Sequence, residues 1–361
     1  MKNKQSILFL VPYPFDEAPS QRFRFEQYLD QLSTQGYSYR TQSFLSYKAW
    51  TTLYGKGKIV AKTFALVLGF LKRFRALFLL PSFDYIFIHR ETAPVGPPIF
   101  EWIIAKVFRK KIIYDFDDAI WLTDKKNESA LEQFIRFRSK VGLICTWSYK
   151  VSCGNEYLCT YARQFNKNVV LNPTTIDTER LHYPEPFQNE TSHQIHIGWT
   201  GSHSTLKYLK EIEDVIAELE QQHRTLHTII IADRKPDLKI DRLVFIPWSK
   251  DTEVNDLRRI DIGIMPLPDD EWTKGKCGFK ALQYMALEIP SVVSPVGVNT
   301  QIIEPAVNGF YATTKAEWIS ALEMLITSAA LRNTIGKNSR KKIVDHYSVR
   351  SNSAVFLSLF S

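Results

Sequence analysis

The segment Met265–Gly297, MPLPDDEWTKGKCGFKALQYMALEIPSVVSPVG, concentrates residues able to hold an anion such as a phosphate. Asp269, Asp270 and Glu271 are followed by Lys274, Gly275, Lys276, Cys277 and Gly278, and then by a stretch that reads as a helix. A basic, glycine-containing loop opening onto a helix N-terminus offers free backbone N–H groups, a positive dipole end and ammonium groups. That combination suits a phosphate or diphosphate; a solvent-exposed connector with incidental lysines is the plainer alternative. A second candidate is Gly198–Lys207, GWTGSHSTLK. There an apolar strand runs into Gly201, Ser202, Ser204 and Thr205, whose amides and hydroxyls would stand at the edge where open α/β sheets bind ligands. Ser204 or Thr205 can equally serve as an ordinary N-cap.

In the first half, two strand ends carry chemistry: His89-Arg90-Glu91 and Asp115-Phe116-Asp117-Asp118. One of these acids could orient or deprotonate a bound hydroxyl, or simply cap the next helix. Arg22 and Arg24 follow the first strand, where they could meet a phosphate or begin an amphipathic surface helix.

These residues need a scaffold, and the pattern of the chain supplies one. Short apolar runs bounded by turn residues alternate with longer amphipathic stretches, the signature of parallel α/β domains. Strands are expected at Ser6–Pro12, Tyr37–Phe44, Tyr85–His89, Lys111–Asp115, Lys150–Cys153 and within Val169–Asp177, with helices at Gln21–Gln35, Lys58–Leu80, Gly96–Phe108 and Glu128–Lys140. A polar stretch, His182–His193, reads as the linker. A second series follows, with strands at Gln194–Trp199, Thr228–Asp233, Arg242–Ile246, Ile262–Met265 and Ser291–Ser294. Its helices are expected at Thr205–Gln222, Glu253–Arg259, Gly278–Leu287, Lys315–Thr327 and Ala330–Asp345. Two Rossmann-like domains in tandem result, as a length of 361 residues also suggests at roughly 150 residues per domain. Neither opening strand leads into G-x-G-x-x-G, which argues against NAD-type dinucleotide binding.

Composition narrows the classes further. With 45% hydrophobic and 23% charged residues the chain is neither disordered nor fibrous. Four cysteines without a CxxC pair exclude a disulfide framework and a structural zinc site, and fit reduced thiols in a cytosolic protein. The N-terminal apolar run is too short for a secretory signal, and Thr63–Leu71 is far short of the roughly 20 residues a bilayer span needs. The net charge of +8 is uneven: residues 1–170 carry 25 basic and 14 acidic side chains, whereas 171–361 carry 21 and 24. Between Asp30 and Asp84 there is no acid, but Arg40, Lys48, Lys56, Lys58, Lys62, Lys72, Arg73 and Arg75 alternate with apolar and aromatic residues. Such a stretch suits an anionic membrane surface, or else is a solvated face on a core helix. No recognition-helix, RRM or zinc-finger pattern supports a nucleic-acid partner.

The stretch GKCGFKALQYMALEIPSVVSPVGVNTQIIEPAVNGF resembles the donor-binding signature of family-4 glycosyltransferases of GT-B fold. The shared register runs through Tyr284-Met285-Ala286, Ile289-Pro290, Ser294-Pro295-Val296-Gly297 and Asn308-Gly309-Phe310, and Asn172-Pro173-Thr174-Thr175-Ile176-Asp177 is similar to the family's interdomain segment. Ser20-Gln21-Arg22-Phe23-Arg24 and Tyr114-Asp115-Phe116-Asp117-Asp118-Ala119-Ile120-Trp121 look like a branch acting on bacterial surface glycans. The resemblance implies an acceptor-binding domain at 1–177, a nucleotide-sugar domain at 178–344 and a helix at 345–361 packing back towards the first domain. It implies transfer of a sugar from a nucleotide-diphosphate donor to a glycan or lipid-linked acceptor, with retention, in the cleft between the domains. It also implies no cofactor and no metal, and cytoplasmic work at the inner face of the cell membrane.

On the same basis Asp117, Asp118 and Lys276 are the expected catalytic residues. Gly201, Ser202, Lys207, Glu271, Lys276, Gly278, Phe279, Lys280 and Gln283 would bind the donor, and Arg22, Arg24, His89 and Arg90 the acceptor. The family's acidic pair falls on Gly275 and Gln283, with Glu271 able to supply a carboxylate from earlier in the loop. Its Arg…Lys pair is met by Trp199 and Lys207, and its catalytic His by Asp115, Asp117 and Asp118. These departures leave room for a non-catalytic nucleotide-sugar-binding subunit, and for another GT-B enzyme such as a sugar-nucleotide epimerase.

Overall fold

The central apolar runs form strands because both faces of a parallel sheet are covered, so that nearly every side chain along them is buried, whereas the edge strands are only partly covered. In the computed structural model, which describes residues 5–54, 59–125, 128–185 and 194–361, six strands build the first sheet. They are β1 (Ser6–Val11), β2 (Ser38–Ser43), β3 (Tyr85–His89), β4 (Lys111–Phe116), β5 (Lys150–Cys153) and β6 (Val169–Leu171). All pairings are parallel, in the order β2-β1-β3-β4-β5-β6. The second sheet holds β7 (Ile195–Gly201), β8 (Leu226–Ala232), β9 (Leu243–Pro247), β10 (Ile262–Met265), β11 (Ser291–Val293) and β12 (Phe310–Tyr311). Its order, β12-β11-β10-β7-β8-β9, is that of a doubly wound dinucleotide-binding fold with the topological switch between β7 and β10.

The chain divides into two units, Met1–Thr174 with Asn352–Ser361, and Thr175–Ser351. The crossing back to the first unit occurs inside one helix, Val349–Leu357. There Phe356, Leu359 and Phe360 are fully buried, with Phe356 stacked on Tyr28 (ring centroids 4.4 Å apart) and Phe360 against Tyr85 (5.7 Å). Residues 186–193 of the expected linker, and Lys56 and Lys58 of the basic stretch, lie outside the described residues. The described start of that linker is packed: His182 is fully buried, its N–H donates to the Asp177 carbonyl (2.7 Å), and its own carbonyl accepts from Arg340 (3.1 Å).

Several expected helices are segmented, each for a local reason. Gln21–Gln35 becomes Pro19–Arg22, a 3₁₀ turn at Glu26–Tyr28, and Leu29–Thr34. The break falls at Phe25, whose ring is buried against Phe9 (5.1 Å) and Phe87 (5.3 Å). Glu128–Lys140 divides into Ala130–Arg136 and Lys140–Trp147, with Phe137 left-handed between them (φ 49°). Thr205–Gln222 starts as a 3₁₀ segment, Leu206–Ile212, before Glu213–Gln222. An additional helix, Glu156–Arg163, is opened by Asn155, whose side chain accepts from the Leu158 N–H (2.9 Å).

One expectation about the basic stretch is corrected. Arg73, grouped with Lys72 and Arg75 as a surface cation, is only 1% exposed. It faces inward on the helix Ile59–Leu77 and donates to the carbonyls of Val11 (2.6 Å), Thr92 (2.7 Å) and Gln42 (2.9 Å). Burial of a guanidinium is tolerated there because carbonyl oxygens replace its hydration.

Candidate active site

In the second unit the loops after β7, β10 and β11 converge at the C-terminal edge of the sheet. Gly278 caps the helix Phe279–Ala286 in a left-handed conformation (φ 68°); a Cβ there would stand 2.3 Å from Ile302 Cδ1 and 3.3 Å from Asn299 Oδ1. Gly297, also left-handed (φ 54°), lies against the backbone of Lys274, whose carbonyl oxygen would be 2.8 Å from an added Cβ. Glycine at both positions lets the 274–278 loop lie directly on the turn after β11. Asn299 reinforces that turn by donating to the Ser294 carbonyl (3.0 Å), and the Ser294 hydroxyl accepts from the Leu267 N–H (2.9 Å).

The two sequence candidates meet at the end of β7. Lys280, on the first turn of the helix, places its ammonium over the Trp199 ring (5.2 Å), and its Cε lies 2.9 Å from where a Gly201 Cβ would be. A side chain at 201 would fill the space that Trp199 and Lys280 share. Lys276 rests over the Trp272 ring (5.3 Å) and is partly exposed. Asp270 caps Glu271–Lys274 through a reciprocal pair with Thr273. Lys274 is held by Glu271 (3.1 Å) and Asp269 (3.6 Å), whose hydrogen bond and charges raise its pKa. The acids of this loop thus neutralise Lys274, in the turn before Lys276. Ser202 is exposed and its hydroxyl pairs with Ser204 (2.8 Å); Lys207 is exposed, with its ammonium over the Tyr208 ring (5.3 Å). Phe279 is half-buried at the helix start.

Gln283 departs from the expected donor contact. It is 4% exposed, and its Nε2 lies 3.4 Å from His182 Nε2, inside the unit rather than at the loop surface. His203, within Gly198–Lys207, is not among the expected donor contacts. Its N–H and Nδ1 both reach the Asp233 carboxylate at the end of β8 (2.5 and 2.6 Å).

In the first unit the register brings three strand ends into one row: His89 on β3 opposite Asp115 on β4, and Asp115 opposite Ser152 on β5. Asp115, fully buried, accepts from Ser152 Oγ (2.6 Å), from His89 Nδ1 (2.8 Å) and from the Arg24 guanidinium. Arg24 also donates to the Asn172 carbonyl, and Asn172 Nδ2 donates to Ser152 (3.1 Å). Burial alone would raise the Asp115 pKa. The Arg24 charge and the His89 hydrogen bond outweigh it and hold the carboxyl well below its ordinary range. This network corrects two expectations. Arg24 (1% exposed) and His89 (fully buried) are not surface contacts for an acceptor; they fix the strand ends from within. His89 Nε2 has no hydrogen-bond partner among the described residues.

Arg90 stands just outside the row, in a left-handed conformation (φ 59°). Its guanidinium binds Asp117 (2.8 Å) and Asp118 (2.7 Å). Burial opposes its charge, but the two carboxylates prevail and raise its pKa well above the usual value. Asp117, Asp118 and Arg90 thus form one partly exposed cluster, and Arg22 is paired with Asp16 (3.3 Å). Among the described residues no group of three or more His, Cys, Asp or Glu side chains is arranged to hold a metal ion.

Residues 194–328, the bulk of the second unit, match the family model described as Glycosyl transferases group 1. Over almost the whole chain the fold is similar to sucrose-phosphate synthase from Thermosynechococcus elongatus, with a TM-score of 0.72, 13% identity and coverage of 99% of this chain and 98% of that one. A glycosyltransferase from Rickettsia africae gives 0.68 at 12% identity, covering 99% and 98%. HepE of Anabaena, solved in complex with UDP and glucose, gives 0.66 at 14% identity, covering 99% of each chain. No curated protein matches the chain. The fold is GT-B, two parallel six-stranded sheets with helices, and residues 194–328 within it match the glycosyl transferase group 1 model.

Proposed function

We propose that this chain is a retaining glycosyltransferase that moves a sugar from a nucleotide-diphosphate-sugar to a glycan or lipid-linked acceptor in the synthesis of bacterial surface polysaccharide or lipopolysaccharide. It works in the cytoplasm, peripherally on the inner face of the membrane. The observation that carries the reading is the meeting of Gly201, Lys280 and the Gly278 turn within the matched domain. The likeness to HepE, solved with UDP and glucose, supports a nucleoside diphosphate as the leaving group. As the bond from the sugar to the diphosphate breaks, negative charge grows on the departing oxygens. Lys276, Lys280, the amides of Gly201 and Ser202 and the N-terminus of the helix Phe279–Ala286 are the groups that would meet it. In this reading no metal is required, because those cations and amides do the neutralising. Asp117 or Asp118, turned by Arg90, would orient the acceptor hydroxyl.

A thermal-shift screen of the full chain against nucleoside diphosphates and nucleotide sugars, without added metal, tests the donor site. A ligand at a hundred times its Kd stabilises by about 2.7 kcal/mol. A clear shift identifies the base; no shift at millimolar concentrations refutes the reading. The buried Gln283 in the register of a family carboxylate favours a second reading, a non-catalytic nucleotide-sugar-binding subunit. Donor binding with neither hydrolysis nor transfer would select it.

A further inference from the structure

The helix Ile59–Leu77 packs in an inverted sense. Its inward stripe is Ala65, Gly69, Arg73 and Ala76, with Gly69 so close to Phe44 that an added Cβ would meet the ring at 2.3 Å. Its outward stripe is apolar: Phe64 is 62% exposed, Leu71 49%, Phe74 52%, and Phe78, just beyond the helix, 85%. A surface helix ordinarily turns polar residues to water, so a face this apolar and this exposed calls for a partner. Two neighbouring segments continue the pattern. Phe100 packs against Phe74 (5.1 Å), and beside it Ile99 and Trp102 are half exposed. The Gly96 N–H donates to the Ile135 carbonyl (2.8 Å), at the end of the helix Ala130–Arg136, which buries none of its residues and exposes Leu131 and Phe134.

The charges nearest this surface decide its partner. Lys62, Lys72 and Arg75 lie on the long helix and Lys106 beside Val107, while Glu101 is buried and Glu132 is paired with Lys125. A second copy of so basic a face would be repelled, whereas an anionic lipid surface is complementary to it. We infer that these three segments form one docking face that enters the headgroup layer of an anionic bilayer, with Trp102 and the phenylalanines at the acyl boundary. The face is tied to the acceptor side of the sheet. Through Arg73 the long helix grips Val11, Gln42 and Thr92, which end β1, lie in β2 and follow β3. Docking therefore holds that sheet edge close to the lipid, where a lipid-linked acceptor of the proposed transfer would lie. This last step rests on the proposed glycosyl transfer; the docking face does not.

The test is flotation of the full chain with vesicles of phosphatidylglycerol and phosphatidylcholine in equal parts, and with phosphatidylcholine alone. The expected result is binding to the first and little to the second. Phe64→Ser with Phe78→Ser, and separately Leu131→Ser with Phe134→Ser, should each weaken binding roughly tenfold or more, since a buried aromatic or leucine contributes that much. These positions are exposed, so the variants fold, and an unchanged thermal midpoint verifies it. Unchanged partitioning of both variants, equal binding to neutral vesicles, or a loss of self-association in place of a loss of vesicle binding would each overturn the inference. Titration of UDP and of other nucleoside diphosphates onto the same samples without vesicles separates the two readings. Vesicle binding without nucleotide binding leaves the docking face standing and removes the enzyme reading; the converse removes the face alone.

Discussion

Replacement of Asp115 by Asn tests whether the buried row of strand ends holds the first unit together. The carboxylate has no contact with water, and in the fold it satisfies Ser152, His89 and Arg24 at once. Asn keeps the volume but removes the charge and turns an N–H₂ towards at least one donor. Arg24 is then left buried without a counter-charge, a situation that costs about 3–5 kcal/mol. For a unit of this size that is a fall in Tm of roughly 6–20 °C. The pH dependence has a definite sign. Because the folded Asp115 pKa is depressed, its contribution is complete above the ordinary carboxylate range and is lost as pH falls through the folded value. The gap between wild type and Asp115→Asn should therefore be constant at neutral pH and shrink below about pH 4. Urea unfolding, followed by a probe in the first unit, measures it. Arg24→Met with Asp115→Leu removes both charges and should recover much of the loss, as apolar replacements of buried pairs do. If Asp115→Asn unfolds within about 0.5 kcal/mol of wild type, or the double variant is no better than the single one, the account of this network is wrong.

Other outcomes are expected. Glu26 is held up at about 7, chiefly by burial and despite hydrogen bonds from Gln21 and the Asp16 N–H, so stability should decline as pH rises from the ordinary carboxylate range through 7. Glu26→Gln should abolish that decline, worth about 1–3 kcal/mol between acidic and neutral pH, as read from urea midpoints. Gly278→Ala forces a side chain into a left-handed position and should cost about 1–2 kcal/mol by thermal unfolding while weakening nucleotide binding. Lys276→Ala and Lys280→Ala should each lower turnover about a hundred- to a thousandfold with the fold intact, in assays of nucleoside diphosphate release. Unaltered turnover and donor affinity would remove that lysine from the leaving-group site.

Much of the scaffold was legible because it depends on runs. The runs 7–11, 85–88 and 262–265 form strands because their continuous apolar residues demand cover on both faces. The loop around Gly278 could likewise be read from a glycine beside lysines at a helix start. What could not be read were contacts set by register and by direction. His89, Asp115 and Ser152 belong to separate strands, and nothing local says that they are aligned; only counting back from each strand end brings them into one row. Arg24 looks like a surface arginine because its partner lies far along the chain. Arg73 differs from Lys72 and Arg75 only in which side of the helix it faces, and its helix is apolar on both sides. The segmented helices have the same origin, since Phe25 leaves helical geometry to reach Phe9 and Phe87, a tertiary contact that overrides local preference.

The return of the chain to its first unit within the helix Val349–Leu357 has a consequence for biosynthesis. Residues 352–361 supply Phe356, Leu359 and Phe360 to a core whose remaining parts precede Thr175. On the ribosome the second unit, 175–351, is therefore synthesised before the first can close. The earlier-made segment waits with Phe9, Tyr28, Tyr85 and Phe87 lacking their contacts to Phe356 and Phe360, a period in which chaperones would find exposed apolar surface. Order of translation and order of completion are thus reversed in this molecule.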